Sequence, residues 1–205
     1  MRRRQLPRLL ALALLPALLM GALPAQDDAT DAGPLTGQLL VAAPEMRDPR
    51  FVHTVILIVR QGKEGAFGLV INRPLGDRSL AELLQAMGQS DADAQGKIRI
   101  FAGGPVEPSV GFVLHSAEYH RAETMAIDGR VAMTRSPDIL HDISHGAGPA
   151  KTILAFGYAG WGPGQLEAEL AQHDWFTAPE EPKLVFDDDR TTLWSEALAR
   201  RTREL

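Results

Sequence analysis

The chain has 205 residues, a length suited to one domain, and its 45% hydrophobic and 23% charged residues are ordinary for a globular protein. Its formal net charge of −5 argues against a nucleic-acid-binding surface, because such surfaces carry an excess of Lys and Arg. The sequence contains no cysteine, which excludes disulfides, thiol catalysis and cysteine-ligated metal sites.

Residues 1–25 have the three parts of a secretory signal peptide. An arginine-rich start is followed by an uncharged apolar run over residues 9–23 and by small residues up to a cleavage position after Ala25. The apolar run is short for a transmembrane helix. We therefore expect a periplasmic protein. The alternatives are an inner-membrane protein anchored by an uncleaved 9–23 segment and a cytoplasmic protein.

Residues 26–36 are small, acidic and turn-prone, and they are predicted to be a disordered linker before a domain over residues 37–205. The first part of this domain is predicted to consist mainly of strands. Serine at position 79 with Glu82 forms a capping-box pattern, which predicts a helix from Ser79 to about Met87. The predicted strands of this part are 37–43, 54–59, 66–72, 98–102, 111–115 and 130–134.

The second part alternates strands and helices. Ser136 is predicted to cap a helix that Gly146 ends. A buried strand is expected over residues 152–158, followed by a glycine-rich turn and an amphipathic helix, then by a last strand at 183–186 and a C-terminal helix. About eight strands and four helices in this order predict a single α+β domain with a mixed sheet.

The glycine-rich turn has two interpretations. A strand, a glycine turn and a helix can present free N–H groups to an anion. However, no Lys or Ser/Thr follows as in a phosphate loop, and Glu167 and Glu169 already bring negative charge to the helix start. A structural corner is therefore favoured over a phosphate site.

His141 and His145 lie four residues apart on one predicted helix face, as the ligands of zinc proteases do. In this chain Asp142 replaces the usual Glu and is too short to act at the same point. Histidines in a last helical turn are also favoured by the helix dipole alone. The sequence therefore predicts no metal site and no cofactor.

His115, at the end of an apolar strand, is the one candidate general base of a hydrolase, provided that a carboxylate or hydroxyl lies within reach. A histidine at such a position is more often a structural hydrogen-bond partner. We assign no catalytic residue and favour a non-enzymatic protein, with a hydrolase as an alternative.

Five motifs, in this order along the chain, carry a resemblance to a known family. The chain strongly resembles the AlgH/YqgE family of bacterial proteins over about residues 37–186. The resemblance implies an irregular mixed sheet folded partly on itself, no established enzymatic activity and a proposed regulatory role in alginate production. The motifs are Ala43-Pro44-x-Met46-x-Asp48-Pro49-x-Phe51, the segment from Gly68 to Pro74, Gly103-Gly104-Pro105-Val106, the segment from Gly111 to His115, and Gly157-Tyr158-Ala159-Gly160-Trp161 with its continuation to Leu170.

Members of this family usually begin near Gly37, without a signal peptide, and are taken as cytoplasmic. An exported member cannot act on the chromosome, so a nucleic-acid-linked transcriptional regulator is an alternative rather than the main hypothesis. Membrane contact is expected only if the N-terminal segment stays uncleaved.

The main hypothesis is a binding or regulatory module with a small-molecule or protein partner. Its motif loops would converge on one groove, because sites generally lie at strand ends and turns. The alternative is that the Gly, Pro and Asn residues at these turns simply allow the fold. The groove is predicted to contain Asn72, Arg73, Gly103, Gly104, His115, Gly160 and Trp161.

Overall fold

The computed structural model describes residues 33–89, 91–187 and 189–202. The predicted signal peptide and most of the predicted linker lie outside these residues. Residues 33–36, the last part of the predicted linker, belong to a turn, and the Gly33 N–H donates to the Gln61 carbonyl over 2.9 Å. Among the described helices, none has the length and apolar character needed to cross a membrane.

Ten strands and five short helices make up the part of the chain that the structure describes. The strands are β1 (Leu39–Ala42), β2 (Val55–Gly62), β3 (Gly65–Val70), β4 (Pro74–Ser79), β5 (Lys97–Ala102), β6 (Val106–Ser116), β7 (Thr124–Ala126), β8 (Val131–Thr134), β9 (Thr152–Trp161) and β10 (Trp175–Ala178). The helices are α1 (Leu80–Ala86), α2 (Asp138–Ser144), α3 (Gln165–Ala171), α4 (Pro182–Phe186) and α5 (Leu193–Ala199).

Strand β9 lies at the centre of the sheet, whose main order is β10-β1-β2-β3-β9-β6-β8-β7. Its first half pairs with β6 on one side and, in parallel, with β5 on the other. Its second half pairs with β3, and β4 extends the sheet beyond β5. Every pairing except β5 with β9 is antiparallel, so the sheet is mixed and the predicted α+β class is confirmed.

The sheet is covered on both faces, as the apolar sequence of β2 requires. Val55, Leu57 and Val59 point into one hydrophobic cluster, whereas Ile56 and Ile58 point into a second cluster on the other face. Alternation of side chains along a strand produces this division. A third cluster packs α1 and α2 against β5 and β9.

The structure corrects several predicted elements. Residues 183–186, predicted as a strand, lie in helix α4, which has Pro182 in its first turn. The Arg190 guanidinium donates to the carbonyls of Leu184 and Val185 over 3.0 and 2.8 Å, which stabilises the end of this helix. This contact is tertiary, so a local pattern could not reveal it.

The predicted caps also differ from the observed ones. Ser79 precedes α1 but makes no side-chain capping bond, and Pro137 rather than Ser136 is the N-cap of α2. The Ser136 hydroxyl nevertheless accepts the Asp138 N–H over 3.3 Å. Strands β4, β7 and β10 were not predicted; β4 is mostly exposed and lacks alternating apolar residues.

Candidate functional site

Two residues of the predicted groove, Gly103 and Gly104, lie in the turn between β5 and β6. Because these two strands pair with opposite sides of β9, the turn passes over that strand. The Gly103 N–H donates to the Phe156 carbonyl over 2.7 Å, and its own carbonyl accepts the Val70 N–H over 2.8 Å. A Cβ on Gly104 would overlap the carbonyl group of Tyr158. In this structure the two glycines allow close backbone packing between two chain segments.

Asn72 and Arg73 tie the end of β3 to the loop before β2. The Asn72 side chain accepts the Val55 N–H over 2.9 Å and donates to the His53 carbonyl over 2.8 Å. Arg73 donates to the Thr54 hydroxyl over 2.8 Å. Both side chains are therefore occupied by tertiary hydrogen bonds.

His115 is fully buried in β6. Its Nε2 lies 2.9 Å from the Thr134 hydroxyl, and its Nδ1 lies 3.0 Å from the Ser116 carbonyl oxygen. Burial lowers the pKa of the His115 imidazole, which favours the neutral form. A hydroxyl partner is thus present, but the ring has no exposed surface with which to meet a ligand.

The other two groove residues, Gly160 and Trp161, line a cleft of about 840 Å³. The loop over residues 43–51 forms one wall, and α3 with residues 172–175 forms another. Pro105 and Val106 also border the cleft, so three of the family-like motifs do meet here. A volume of this size suits a small molecule or a short peptide segment.

Glu169 organises the cleft through one carboxylate. Its Oε2 accepts the indole N–H groups of Trp161 and Trp175 over 2.8 and 2.9 Å. Its Oε1 accepts the Gln165 side-chain amide over 2.9 Å. These bonds hold two large aromatic side chains in fixed positions beside the cavity.

An aromatic cluster continues from these indoles into the loop. The ring centroids of Trp161 and Trp175 are 6.1 Å apart with nearly perpendicular planes, and Phe51 meets Trp175 edge to face at 5.5 Å. Met46 packs against the same hydrophobic cluster. The apolar side of the cleft is therefore built from two tryptophans, Phe51 and Met46.

The rim of the cleft carries charges of both signs. Arg50 forms a 2.7 Å ion pair with Asp48 and lies over the Phe51 ring at 5.6 Å. The side-chain hydrogen bond from Arg50 holds the pKa of the Asp48 carboxyl below its usual value. The lining contains four carboxylates, on Glu45, Asp48, Glu169 and Asp174, but only two guanidiniums, on Arg47 and Arg50.

Sequence reasoning identified only part of this cleft. The importance of Glu169 was missed, because its charge was interpreted only as a helix N-terminal effect. The signal was present in the sequence: an acidic residue eight positions after Trp161 and six before Trp175, on the helix between them.

The fold and the cleft define a single-domain α+β protein with a ligand-sized cavity at the C-terminal end of its central strand. The chain belongs to the AlgH-like family (DUF179), whose model matches residues 39–205. The resemblance stated from the sequence motifs is thereby confirmed.

Relatives of similar length support this membership. A UPF0301 protein of Cereibacter sphaeroides is 45% identical over 78% of this chain and 88% of its own length, and one of Jannaschia sp. is 45% identical over 80% and 86%. The solution structure of the AlgH protein from Pseudomonas aeruginosa is similar with a TM-score of 0.69 and 42% identity, covering 85% of this chain and 91% of its own. These names state no activity, substrate or partner.

A crystal structure of a protein from Corynebacterium diphtheriae is similar in fold, with a TM-score of 0.65 and 23% identity over 84% of this chain and 90% of its own. The fold is therefore retained at low sequence identity.

Proposed function

We propose that this protein is a non-enzymatic binding module that takes a small molecule or a peptide segment in the cleft beside Trp161 and Trp175. The observation that carries the proposal is the Glu169 carboxylate, whose hydrogen bonds fix both indoles at the cavity wall. A preorganised aromatic wall reduces the entropy lost on binding. Such walls with a few polar groups are typical of ligand sites.

The charges of the lining indicate the class of ligand. Four carboxylates against two guanidiniums, one of them paired with Asp48, give the cleft an acidic balance. This balance disfavours nucleotides and other phosphates and favours neutral or cationic ligands. A flat apolar group on the ligand would pack against the aromatic side of the cleft.

Screening should detect this ligand class. Intrinsic tryptophan fluorescence and thermal denaturation are measured against neutral and cationic aromatic metabolites, cell-wall peptides and nucleotides. We expect saturable fluorescence changes from members of the aromatic metabolites and of the cell-wall peptides, but not from nucleotides. The Glu169→Ala variant should bind such a hit at least about 10-fold more weakly, because it leaves two indole N–H groups without their acceptor.

Glu167→Ala is the matched control. Glu167 lies on the same helix but accepts a hydrogen bond from Gln61 and does not line the cleft. Its loss should leave ligand affinity within about twofold of the wild type. If no compound of the panel binds, or if both variants bind a hit as the wild type does, this cleft is not the binding site.

We further propose that the module acts in the periplasm. The support is the order of a basic start, an uncharged run over residues 9–23 and small residues before Gln26. A binding module outside the cytoplasm would meet envelope metabolites and peptides rather than the chromosome.

The intact mass of the native protein in separated cell fractions tests this location. A periplasmic species that begins near Gln26 is the expected result. A full-length membrane species would indicate a tethered domain instead. A cytosolic species would contradict export and restore the transcriptional-regulator hypothesis.

A further inference from the structure

A second recess, separate from the cleft, lies between the loop after α1 and the last turn of α2. It is lined by Leu84, Gln89, Asp91, Ala92, Asp138, His141 and His145. Within it, a carboxylate oxygen of Asp91 and one nitrogen of each imidazole of His141 and His145 lie within 4.8 Å of one another. The ligand binding proposed for the cleft involves none of these three side chains.

The Asp91 carboxylate is held in one orientation. Its Oδ1 accepts the Asp93 N–H over 3.0 Å, which leaves Oδ2 pointing toward the two imidazoles. Oδ2 is buried and has no hydrogen-bond partner among the described residues. A buried carboxylate oxygen without a donor is costly unless a cation satisfies it.

The two imidazoles present their Nε2 atoms to this oxygen. Their rings are stacked, with centroids 4.4 Å apart and an angle of 23° between planes. The His145 Nδ1 lies 3.0 Å from both the His141 carbonyl oxygen and the Ser144 hydroxyl. In the tautomer that donates from Nδ1 to this carbonyl, the lone pair of the ring is on Nε2, as in metal-binding histidines.

The distances fit a metal centre better than direct hydrogen bonds. Asp91 Oδ2 is 3.3 Å from His141 Nε2 and 3.5 Å from His145 Nε2. An N–H···O hydrogen bond usually spans about 2.7–3.2 Å. Ligands at about 2.0–2.1 Å from a tetrahedral zinc ion are separated by about 3.3–3.4 Å, which is close to both values.

We propose that Asp91, His141 and His145 bind a divalent transition-metal ion of the zinc class, with an exogenous ligand such as water in the fourth position. Two imidazoles and one carboxylate are suitable donors for such an ion. No metal was predicted here from the sequence, because Asp142 is shorter than the protease glutamate and the helix dipole alone accounts for the two histidines. Asp91 is distant from them in sequence, and only the fold brings it to them.

The site is not that of a zinc protease. Asp142, which replaces the protease glutamate, is held by Arg121 and by the Tyr119 hydroxyl at 2.6 Å. Its carboxylate is therefore not available to a metal-bound water. The proposed ion instead cross-links the loop after α1 to the end of α2.

Titration of untagged full-length protein with zinc, followed by calorimetry, tests the proposal. We expect one ion per chain and a rise in melting temperature with zinc, because the site exists only in the folded chain. Cobalt(II) should give the intense visible absorption of a tetrahedral complex. Asp91→Asn, which keeps an acceptor for Asp93, and His141→Ala should each weaken zinc binding at least about 100-fold.

His120→Ala is the matched control, since His120 is an exposed histidine that does not line this recess. It should bind zinc as the wild type does. Absence of saturable binding would overturn the proposal and leave an ordinary Asp–His ion pair. Equal zinc affinity in Asp91→Asn and the wild type would overturn it as well.

Discussion

Replacing Gly104 with alanine is expected to destabilise the protein by at least about 4 kcal/mol, which is most of the free energy of unfolding of a marginally stable domain. The added Cβ would lie 2.5 Å from the Ala159 nitrogen and would overlap the Tyr158 carbonyl group. These are backbone atoms of the central strand β9 and cannot rotate away. The φ of Gly104, +154°, is also unfavourable for a residue with a side chain.

Urea denaturation followed by circular dichroism measures this effect. Gly129→Ala is the control, because a Cβ at Gly129 would meet no atom within 4 Å. The control should change the free energy of unfolding by less than about 1 kcal/mol. A Gly104→Ala protein with wild-type stability would show that β9 and the 103–104 turn are not packed as described.

The second large effect concerns Glu180, a residue that is only 2% exposed and whose carboxyl group lies beside that of Asp128. Burial, and then the neighbouring Asp128 carboxylate, raise the pKa of Glu180 to about 7, against the opposing effect of Arg130. The Arg130 guanidinium lies 2.7 Å from Glu180 Oε2 and favours the ionised carboxylate, but burial and Asp128 have the larger effect. The folded protein therefore holds a proton on Glu180 up to about pH 7, whereas the unfolded chain releases it near pH 4.5.

The sign of the pH effect follows from this difference. A folded-state pKa above the unfolded value contributes stability that is complete below about pH 4.5 and is lost as the pH rises through about 7. We expect Glu180 to reduce the free energy of unfolding by about 1–3 kcal/mol between pH 5 and pH 8. Asp128, with a lowered pKa, acts in the opposite sense and at more acidic pH.

Urea denaturation of Glu180→Gln at pH 5 and pH 8 isolates this contribution. The variant cannot ionise at this position, so its free energy of unfolding should increase relative to that of the wild type as the pH rises. Glu181→Gln, at an exposed neighbouring position, should follow the wild type at both pH values. A constant difference between Glu180→Gln and the wild type across this range would mean that Glu180 is already ionised at pH 5.

Most of the sheet could be predicted from the sequence, because buried strands have local signatures. The run at 54–59 is apolar and rich in β-branched residues, and it became β2. Elements fixed by tertiary contacts could not be predicted in the same way. Helix α4 is five residues long and is completed by Arg190, and β4 is an exposed strand paired only with β5.

The candidate site was predicted in part for the same reason. The motifs indicate which loops are candidates for a binding site, but their order in the sequence does not indicate which of these loops are adjacent in the folded protein. Gly160 and Trp161 do line the cleft, and their role in binding a ligand stays a prediction. Asn72, Arg73 and His115 instead make hydrogen bonds away from it. Glu169 joins two tryptophans that are distant in sequence, which only the folded chain makes evident.

The central position of β9 has a consequence for the order of events during folding. This strand spans residues 152–161, yet it pairs with β3, β5 and β6, which all precede it in the chain. In a growing chain, β3, β5 and β6 therefore lack their common partner β9 until most of the chain has been synthesised. Contacts between such distant residues slow folding. Completion of the sheet is therefore delayed until β9 has been synthesised, even though most of its strands are available earlier.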